Sequence, residues 1–208
     1  MRKSYFEGIA AGIYIGIGGA VFLACDNRYL GAVFFTVALL SICLTGMQLY
    51  TGKVGMIVYS HTKRDWISLL GCLLGNLTGT LLCAFAVWVG VPSLKENALT
   101  LIEKKLAASA PWHPRVLFAG ILCGILMYTA VWVYKQKNTV WGILFCVPVF
   151  ILAGFEHSIA DMFYFFCAGS FTLPSFCFLL MVVLGNSVGG MIVPLLYTIG
   201  NPKKKGDA

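Results

Sequence analysis

The chain has 208 residues, of which 59% are hydrophobic and only 11% are charged. A soluble domain is about 45–50% apolar and about 25% charged, so the composition excludes a soluble nucleic-acid-binding domain, a disordered tail and a secreted disulfide scaffold. It indicates an integral membrane protein. The net charge of +7 comes from basic residues in short gaps between apolar runs, which favours anionic lipid over nucleic acid as the partner.

Six stretches reach the roughly 20 apolar residues that a helix needs to cross a bilayer. The first, 6–25, has no clear cleavage site, so we interpret it as a retained span rather than a signal peptide. The second covers 29–46, is interrupted over 46–53 and resumes over 54–60. The third covers 66–91, and a polar connection over 92–115 leads to the fourth at 116–134. The fifth covers 140–167 and the sixth 173–200, before a basic tail at 201–208.

The eight cysteines lie in or at the edges of these apolar runs and form no CxxC pair. A buried cysteine behaves as a small hydrophobe. We therefore interpret all eight as packing residues, and we predict neither a metal site nor a cofactor. They are Cys25, Cys43, Cys72, Cys83, Cys123, Cys146, Cys167 and Cys177.

The distribution of basic residues predicts the orientation, because cytoplasmic loops carry an excess of Lys and Arg. With the N-terminus inside, the inner side collects nine: Arg2, Lys3, Lys63, Arg64, Lys135, Lys137, Lys203, Lys204 and Lys205. The outer side collects five: Arg28, Lys95, Lys104, Lys105 and Arg115. Lys53 lies in the interrupted segment and is not counted. We expect a multi-pass protein of the cell (inner or plasma) membrane with both termini in the cytoplasm.

The two halves of the chain, about 1–91 and 116–200, resemble each other. The string FEGIAAGI at 6–13 matches FAGILCGI at 118–125, GMQ at 46–48 matches GFE at 154–156, and GNLTG at 75–79 matches GNSVG at 185–189. The offsets are 112, 108 and 110 residues. Three spans per half place the second half upside down, which is an arrangement common in transport proteins. We predict a single all-α transmembrane domain with six helices in an inverted 3+3 repeat and broken second and fifth helices.

Each interruption places backbone groups at membrane depth, where they must be buried in protein or line a cavity. The break in the second span contains Gln48, Thr51 and Lys53, and the break in the fifth contains Glu156, His157 and Ser158. Ionisable groups at this depth indicate a functional site, which favours a functional His157 over a neutral core histidine. Glu156 either takes part or only holds loop amides, as Gln48 would. Asp161 suits the N-terminus of the second half-helix.

Glycine and asparagine recur within the third and sixth spans. We interpret the glycines of GNLTG and GNSVGG as contacts for close helix packing. Asn76 and Asn186 occupy equivalent positions of the repeat, and an amide inside a span needs a partner. Asn186 donates either to a permeating anion or to the broken backbone.

Three motifs resemble those of formate/nitrite transporters. The string GFEHSIADMF at 154–163 resembles the GFEHSxAxMF signature, GMQLYT at 46–51 is similar to the loop in the broken second span, and GNSVGG at 185–190 resembles the GNxxGG motif. The resemblance covers nearly the whole chain. It implies a homopentamer of aquaporin-like protomers, each with its own pore. It also implies passage of small monovalent anions, namely formate, nitrite, hydrosulfide and in some members acetate or lactate.

The resemblance also implies roles for individual residues. His157 would be the central pore histidine and Thr51 its hydroxyl neighbour. Apolar constrictions would be formed by Phe35, Leu39, Leu49, Tyr50, Met127 and Phe150, where Tyr50 replaces a frequent Phe. Polar support would come from Asn76, Asn186, Gln48 and Glu156. The vestibule lysine of the family corresponds to Lys105, at a spacing that is about three residues too long, or to Lys104. Gly124 stands where the family often has Asn.

The apolar lining suggests how such a pore would act. A bare anion would lose most of its hydration there, at a cost of roughly several kcal/mol, so we expect the neutral acid to pass. Positive vestibules would attract the anion, which would gain a proton at or near His157, since histidine has a reference pKa of about 6.5. Lower external pH would then promote uptake.

Three other readings remain open. A hydrosulfide-selective channel of the same family would have nearly the same pore residues. A neutral-solute pore of the aquaporin or urea type predicts pH-insensitive transport and an arginine at a constriction, and no arginine lies within the predicted spans. A membrane enzyme or a non-transporting sensor would need converging acid–base or metal groups. His157 is the one histidine at depth, because His61 and His113 lie near the membrane ends, so we predict no enzyme.

Overall fold

The computed structural model describes residues 1–108 and 110–201, and every regular element in this part of the chain is helical. The ten α-helices are α1 (Arg2–Ala24), α2 (Arg28–Phe34), α3 (Thr36–Thr45), α4 (Tyr50–Lys53), α5 (Lys63–Gly90), α6 (Leu94–Ala108), α7 (Pro114–Lys137), α8 (Trp141–Ala153), α9 (Ser158–Ala168) and α10 (Leu173–Gly200). A 3-10 helix, Val54–Val58, follows α4. Apart from Asn201, the predicted basic tail lies outside the described residues.

Six spans are present when one bent pair is taken as a single span. Five segments are long and apolar enough to cross a bilayer: α1, α2 with α3 over Arg28–Thr45, α5, α7 and α10. Helices α8 and α9 pass the same test together and are bent by 56° at the break between them. The predicted fold class, an all-α membrane protein, is confirmed.

The breaks occur at equivalent glycines of the two halves. Gly46 ends α3 with φ 72° and Gly154 ends α8 with φ 75°, a left-handed backbone that strongly favours glycine. A short extended segment then leads to α4 or α9. The prediction that the second span resumes only at residue 54 is wrong, because α4 already begins at Tyr50. Its first amide donates to Asn76 Oδ1 at 2.8 Å, which starts the helix earlier.

Glycines allow the long helices to approach closely. A Cβ atom added to Gly79 would lie 2.9 Å from Gly12 Cα, where α5 meets α1. A Cβ atom added to Gly185 would lie 2.9 Å from Gly120 Cα, where α10 meets α7. The two contacts are equivalent in the repeat, and in both of them the backbones touch. The glycines therefore pack helices together, as predicted.

The connection between the halves is helical rather than an irregular polar loop. Helix α6 buries Leu94, Ala98 and Ile102, and it packs against α9. These residues recur every four positions and so form one apolar stripe. Polar and charged residues make up most of the rest of α6, which is why composition alone gave a polar connection, although Leu99 is exposed. The stripe fixes which side of α6 faces the broken fifth span.

Candidate functional site

The imidazole of His157 lies where the two broken spans meet. His157 is 2% exposed, and its Nε2 lies 2.9 Å from Thr51 Oγ1. It is the N-cap of α9, and its Nδ1 accepts a hydrogen bond of 3.1 Å from the Ala160 amide. Since an amide can only donate, Nδ1 carries no proton, so the neutral ring is protonated at Nε2 and donates to Thr51. Protonating Nδ1 as well would break the cap, and losing an N-cap costs about 0.5–2 kcal/mol.

Two phenylalanines cover one side of this histidine. The ring of Phe150 stacks on His157 with centroids 5.6 Å apart, and Phe35 meets Phe150 edge-on at 6.2 Å. Phe35 and Phe150 are buried. Phe35, the N-cap residue of α3, and Phe150 of α8 thus each place one aromatic ring on this side of the site. Apolar walls at this point disfavour a bare ion.

Two cavities lie next to the breaks, one beside His157 and the other beside Lys53. The His157 cavity is about 410 Å³ in volume. Its lining includes His157, Phe35, Phe150, Glu156 and the basic residues Arg28, Lys104, Lys105 and Arg115. The Lys53 cavity, about 310 Å³ in volume, is lined by Gln48, Leu49, Gly52, Lys53 and Lys135 among others. His157 is therefore reached from a cavity, and Leu49 lines the cavity of the other break.

The remaining residues predicted at constrictions are buried. Tyr50 is 7% exposed, and its hydroxyl lies 2.7 Å from Ser187 Oγ of α10. Leu39 and Met127 are each 1% exposed. Within the part of the chain that the structure describes, neither residue lines the His157 cavity or the Lys53 cavity. Each of the three belongs to the hydrophobic core that surrounds the breaks.

Asn76 and Asn186 hold the two breaks in the same way. Asn186 Oδ1 accepts from the Ser158 amide at 2.8 Å, and its Nδ2 donates to the carbonyls of Gly120 and Glu156, both at 2.8 Å. Asn76 makes the equivalent three bonds, to the Tyr50 amide and to the carbonyls of Gly8 and Gln48. Both amides are fully used by backbone. Of the two roles expected for Asn186, the geometry favours holding the broken backbone.

A lysine of α6 pairs with two carboxylates at the wall of the His157 cavity. Lys105 Nζ donates to Glu156 Oε2 and lies 3.1 Å from Asp161 Oδ1. Lys105 lies three residues after the buried Ile102 and so continues the stripe that faces α9. Lys104 also lines the cavity but is exposed and forms no ion pair within the described ranges. Burial lowers the pKa of Lys105, but the carboxylates of Asp161 and Glu156 outweigh burial and raise it above its usual value.

Two arginines at the His157 cavity were missed by the sequence analysis. Arg28 begins α2, and its Nη2 donates to the carbonyls of Ile151 and Leu152 at 3.0 and 3.3 Å, at the end of α8. Arg115 lies in the first turn of α7 and also lines the cavity. Both arginines stand one residue before the predicted runs, 29–46 and 116–134, and in the first turn of the helices that contain those runs. Only the helix boundaries, which hydropathy does not define, could have shown this.

The Lys53 cavity has its own polar network. Lys53 Nζ donates to Gln48 Oε1 and, at 2.8 Å, to Ser68 Oγ. Gln48 Nε2 in turn donates to Glu7 Oε2 of α1. Gln48 therefore occupies the position in its half that Glu156 occupies in the other, and each contacts a lysine. Among the described residues, no group of three or more His, Cys, Asp or Glu is placed to hold a metal ion.

The sequence profile of the family described as formate/nitrite transporter matches residues 1–199. The chain belongs to the formate/nitrite transporter family. It is 30% identical over 227 aligned residues to the nitrite transporter NirC of Salmonella typhimurium, and the match covers 95% of this chain and 83% of that protein.

Solved structures of this family have the same fold. A structure described as an FNT family ion channel matches with a TM-score of 0.82 and 26% identity, over 97% of this chain and 91% of that one. A pentameric formate channel with formate bound matches with a TM-score of 0.74 and 25% identity, over 97% and 98%. The relatives are thus transporters and channels.

In this member of the family, Gly124 belongs to a helix contact. A Cβ atom at this position would lie 2.9 Å from both Asn186 Cα and the Gly190 amide of α10. An asparagine here would separate α7 from α10 before it reached a pore. The glycine is therefore required by the close approach of the two helices.

Proposed function

We propose that the protein is a channel or proton-coupled transporter for small monovalent weak-acid anions, with formate or nitrite as the first candidates. The anion enters a basic vestibule, gains a proton at or near His157, and crosses the aromatic passage as the neutral acid. A hydrosulfide channel is the alternative within the same family, since hydrosulfide is also the anion of a small weak acid.

The observation that carries the proposal is the buried His157–Thr51 hydrogen bond at the meeting point of the two breaks. This pair of side chains forms one polar site. Phe35 and Phe150 lie on one side of it, and the break of the second span lies on the other. A neutral acid can exchange hydrogen bonds with the imidazole and the hydroxyl. A bare anion at the same site would keep too few of its hydration contacts.

The cavities support an orientation and an assembly. The His157 cavity contains Arg28, Lys104, Lys105 and Arg115, all of which the positive-inside count assigns to the outer face, whereas the Lys53 cavity contains Lys135 of the inner face. We therefore propose that the His157 cavity opens outward and that both termini are cytoplasmic. The pentameric structure of the related formate channel supports a homopentamer with one pore per protomer. Mass measurement of the purified protein in detergent tests this assembly.

Uptake into proteoliposomes tests the function. The wild type should take up formate or nitrite, and uptake should rise as external pH falls, because more protons are then available to neutralise the anion. A His157→Asn variant keeps an N-cap acceptor for Ala160 but has no titratable ring, so it separates folding from function. We expect it to lose at least about tenfold in uptake, equal to about 1.4 kcal/mol.

A second variant, at Thr51, and two possible results complete the test of the proposed function. Thr51→Val keeps the shape of the side chain and removes the hydroxyl, so it should lower uptake without abolishing the dependence on pH. Wild-type uptake that does not change with pH would favour a neutral-solute pore. Unchanged uptake by a folded His157→Asn protein would contradict the role of the histidine. Competition among formate, nitrite and hydrosulfide then ranks the substrates.

A further inference from the structure

One ammonium group faces two carboxylates at the wall of the His157 cavity. Lys105 Nζ contacts Glu156 Oε2 and Asp161 Oδ1, and the exposed fractions of the three side chains are only 17%, 14% and 2%. With both carboxylates ionised, these largely buried side chains would carry an excess negative charge. An uncompensated buried charge is strongly destabilising. Two carboxylates that share one site therefore tend to share a proton.

Asp161 has an unused oxygen in this cluster. Its Oδ2 is buried and has no hydrogen-bond partner in the described part of the chain, although Oδ1 is paired with Lys105. Asp161 lines the His157 cavity, and it lies four residues after His157 in the first turn of α9. A buried polar atom without a partner is rare and indicates a ligand or a functional role. The oxygen therefore has no partner within the described part of the chain, and the residue that carries it borders the same cavity as the histidine.

The groups around Asp161 leave Lys105 as its counter-charge. Cys123 of α7 and Tyr164 of α9 lie within electrostatic range of both carboxylates, and each is uncharged at neutral pH. His157 precedes Asp161 on the same segment. No residue of α1, α4, α5 or α10 forms an ion pair with Asp161 in ranges 1–108 and 110–201. Arg28, Lys104 and Arg115 line the same cavity, but none of them forms an ion pair with Glu156 or Asp161 in the described part of the chain, so within contact distance two carboxylates face one ammonium group.

We propose that Glu156 and Asp161, which share Lys105, hold one exchangeable proton at neutral pH and that Asp161 Oδ2 transfers it to the incoming weak-acid anion. The O–H bond at Asp161 breaks, and an O–H bond forms on the anion. The products are a neutral acid and an Asp161 carboxylate, which water at the outer face protonates again. The inference rests on the proposed function, because it supplies the proton that makes the acid neutral. The proton belongs to the coupled pair rather than to one carboxylate.

Removing either carboxylate should remove this proton. Asp161→Asn and Glu156→Gln each leave one carboxylate beside the ammonium group of Lys105. The two opposite charges then balance, and the ion pair holds no extra proton to donate. Uptake would then depend on acid that is already neutral in solution, and this fraction changes about tenfold per pH unit above the pKa of the acid. We expect uptake at pH 7 to fall at least about tenfold in both variants. Wild-type uptake should rise less steeply than this as pH falls.

A matched control and a second measurement make the test independent of transport. Glu103→Gln changes the charge of α6 by the same amount at an exposed position, and it should keep the wild-type pH profile. Infrared spectroscopy of the wild type at pH 7 should show the C=O band of a protonated carboxyl group, and both Asp161→Asn and Glu156→Gln should lack it.

Three results would decide against the proposal or separate it from the proposed function. Absence of the infrared band in the wild type would overturn it, and so would wild-type pH profiles in both carboxylate variants. If the wild type transports no weak acid, the proposed function fails. The infrared band then still decides whether the cluster holds a proton.

Discussion

Replacing Asn186 by alanine removes the side chain that holds the break between α8 and α9. Three hydrogen bonds are lost, one from the Ser158 amide and two to the carbonyls of Gly120 and Glu156, each 2.8 Å long. The side chain is completely buried, so water does not replace it without opening the packing. All three backbone groups would therefore be left without partners.

The size of the effect follows from the number of bonds. Hydrogen bonds between helices in membranes are worth on average about 0.6 and at most about 1.7 kcal/mol each. Three of them give a loss of about 2–5 kcal/mol in the free energy of unfolding. Asn76→Ala should have a similar effect, because Asn76 also makes three bonds to backbone, of 2.8, 2.9 and 3.0 Å.

Unfolding in mixed micelles of a mild detergent and SDS, followed by tryptophan fluorescence, measures these changes. Asn201→Ala is the matched control, because Asn201 is exposed and its side chain makes one hydrogen bond, to the Tyr197 carbonyl of the preceding helix α10. It should change the free energy by less than about 0.5 kcal/mol. If Asn186→Ala stays within that limit as well, the broken backbone does not depend on the amide.

Three further substitutions test the helix contacts and the basic vestibule. Gly79→Ala should destabilise the protein by about 1–3 kcal/mol in the same assay, because its Cβ would lie 2.9 Å from Gly12 Cα, whereas Gly90→Ala, with no atom within 4 Å, should not. Arg28→Gln should lower formate uptake about two- to fivefold at low ionic strength, and the difference should disappear in high salt. Arg28→Lys, which keeps the charge, should retain uptake. A loss of uptake that does not depend on salt would contradict this role of Arg28. Since its neighbours raise the pKa of Lys105, its ammonium stays charged from pH 5 to 8. Lys105→Arg should therefore leave the pH profile of uptake unchanged.

Local patterns were enough to predict the spans and the breaks. A run of apolar residues has no stable place outside a membrane or a core, so the six spans follow from hydropathy within a few residues. The repeat located the breaks, because Gly46 and Gly154 end equivalent half-helices with the backbone that glycine adopts most readily. Polar residues at membrane depth indicated His157, which the structure places at the meeting point of the two breaks.

The tertiary structure alone decided which side chains meet across the chain. Lys105 rather than Lys104 contacts Glu156, because the apolar stripe of α6 turns one lysine toward α9, and sequence spacing across an unassigned connection does not define that face. Asp161 was predicted at the N-terminus of the second half-helix, where it does lie, but its ion-pair partner is 56 residues away on α6. Arg28 likewise contacts the end of α8, where the Ile151 carbonyl is 123 residues further along the chain. Contacts between distant segments depend on how helices pack, and packing is a property of the whole fold rather than of any window of sequence.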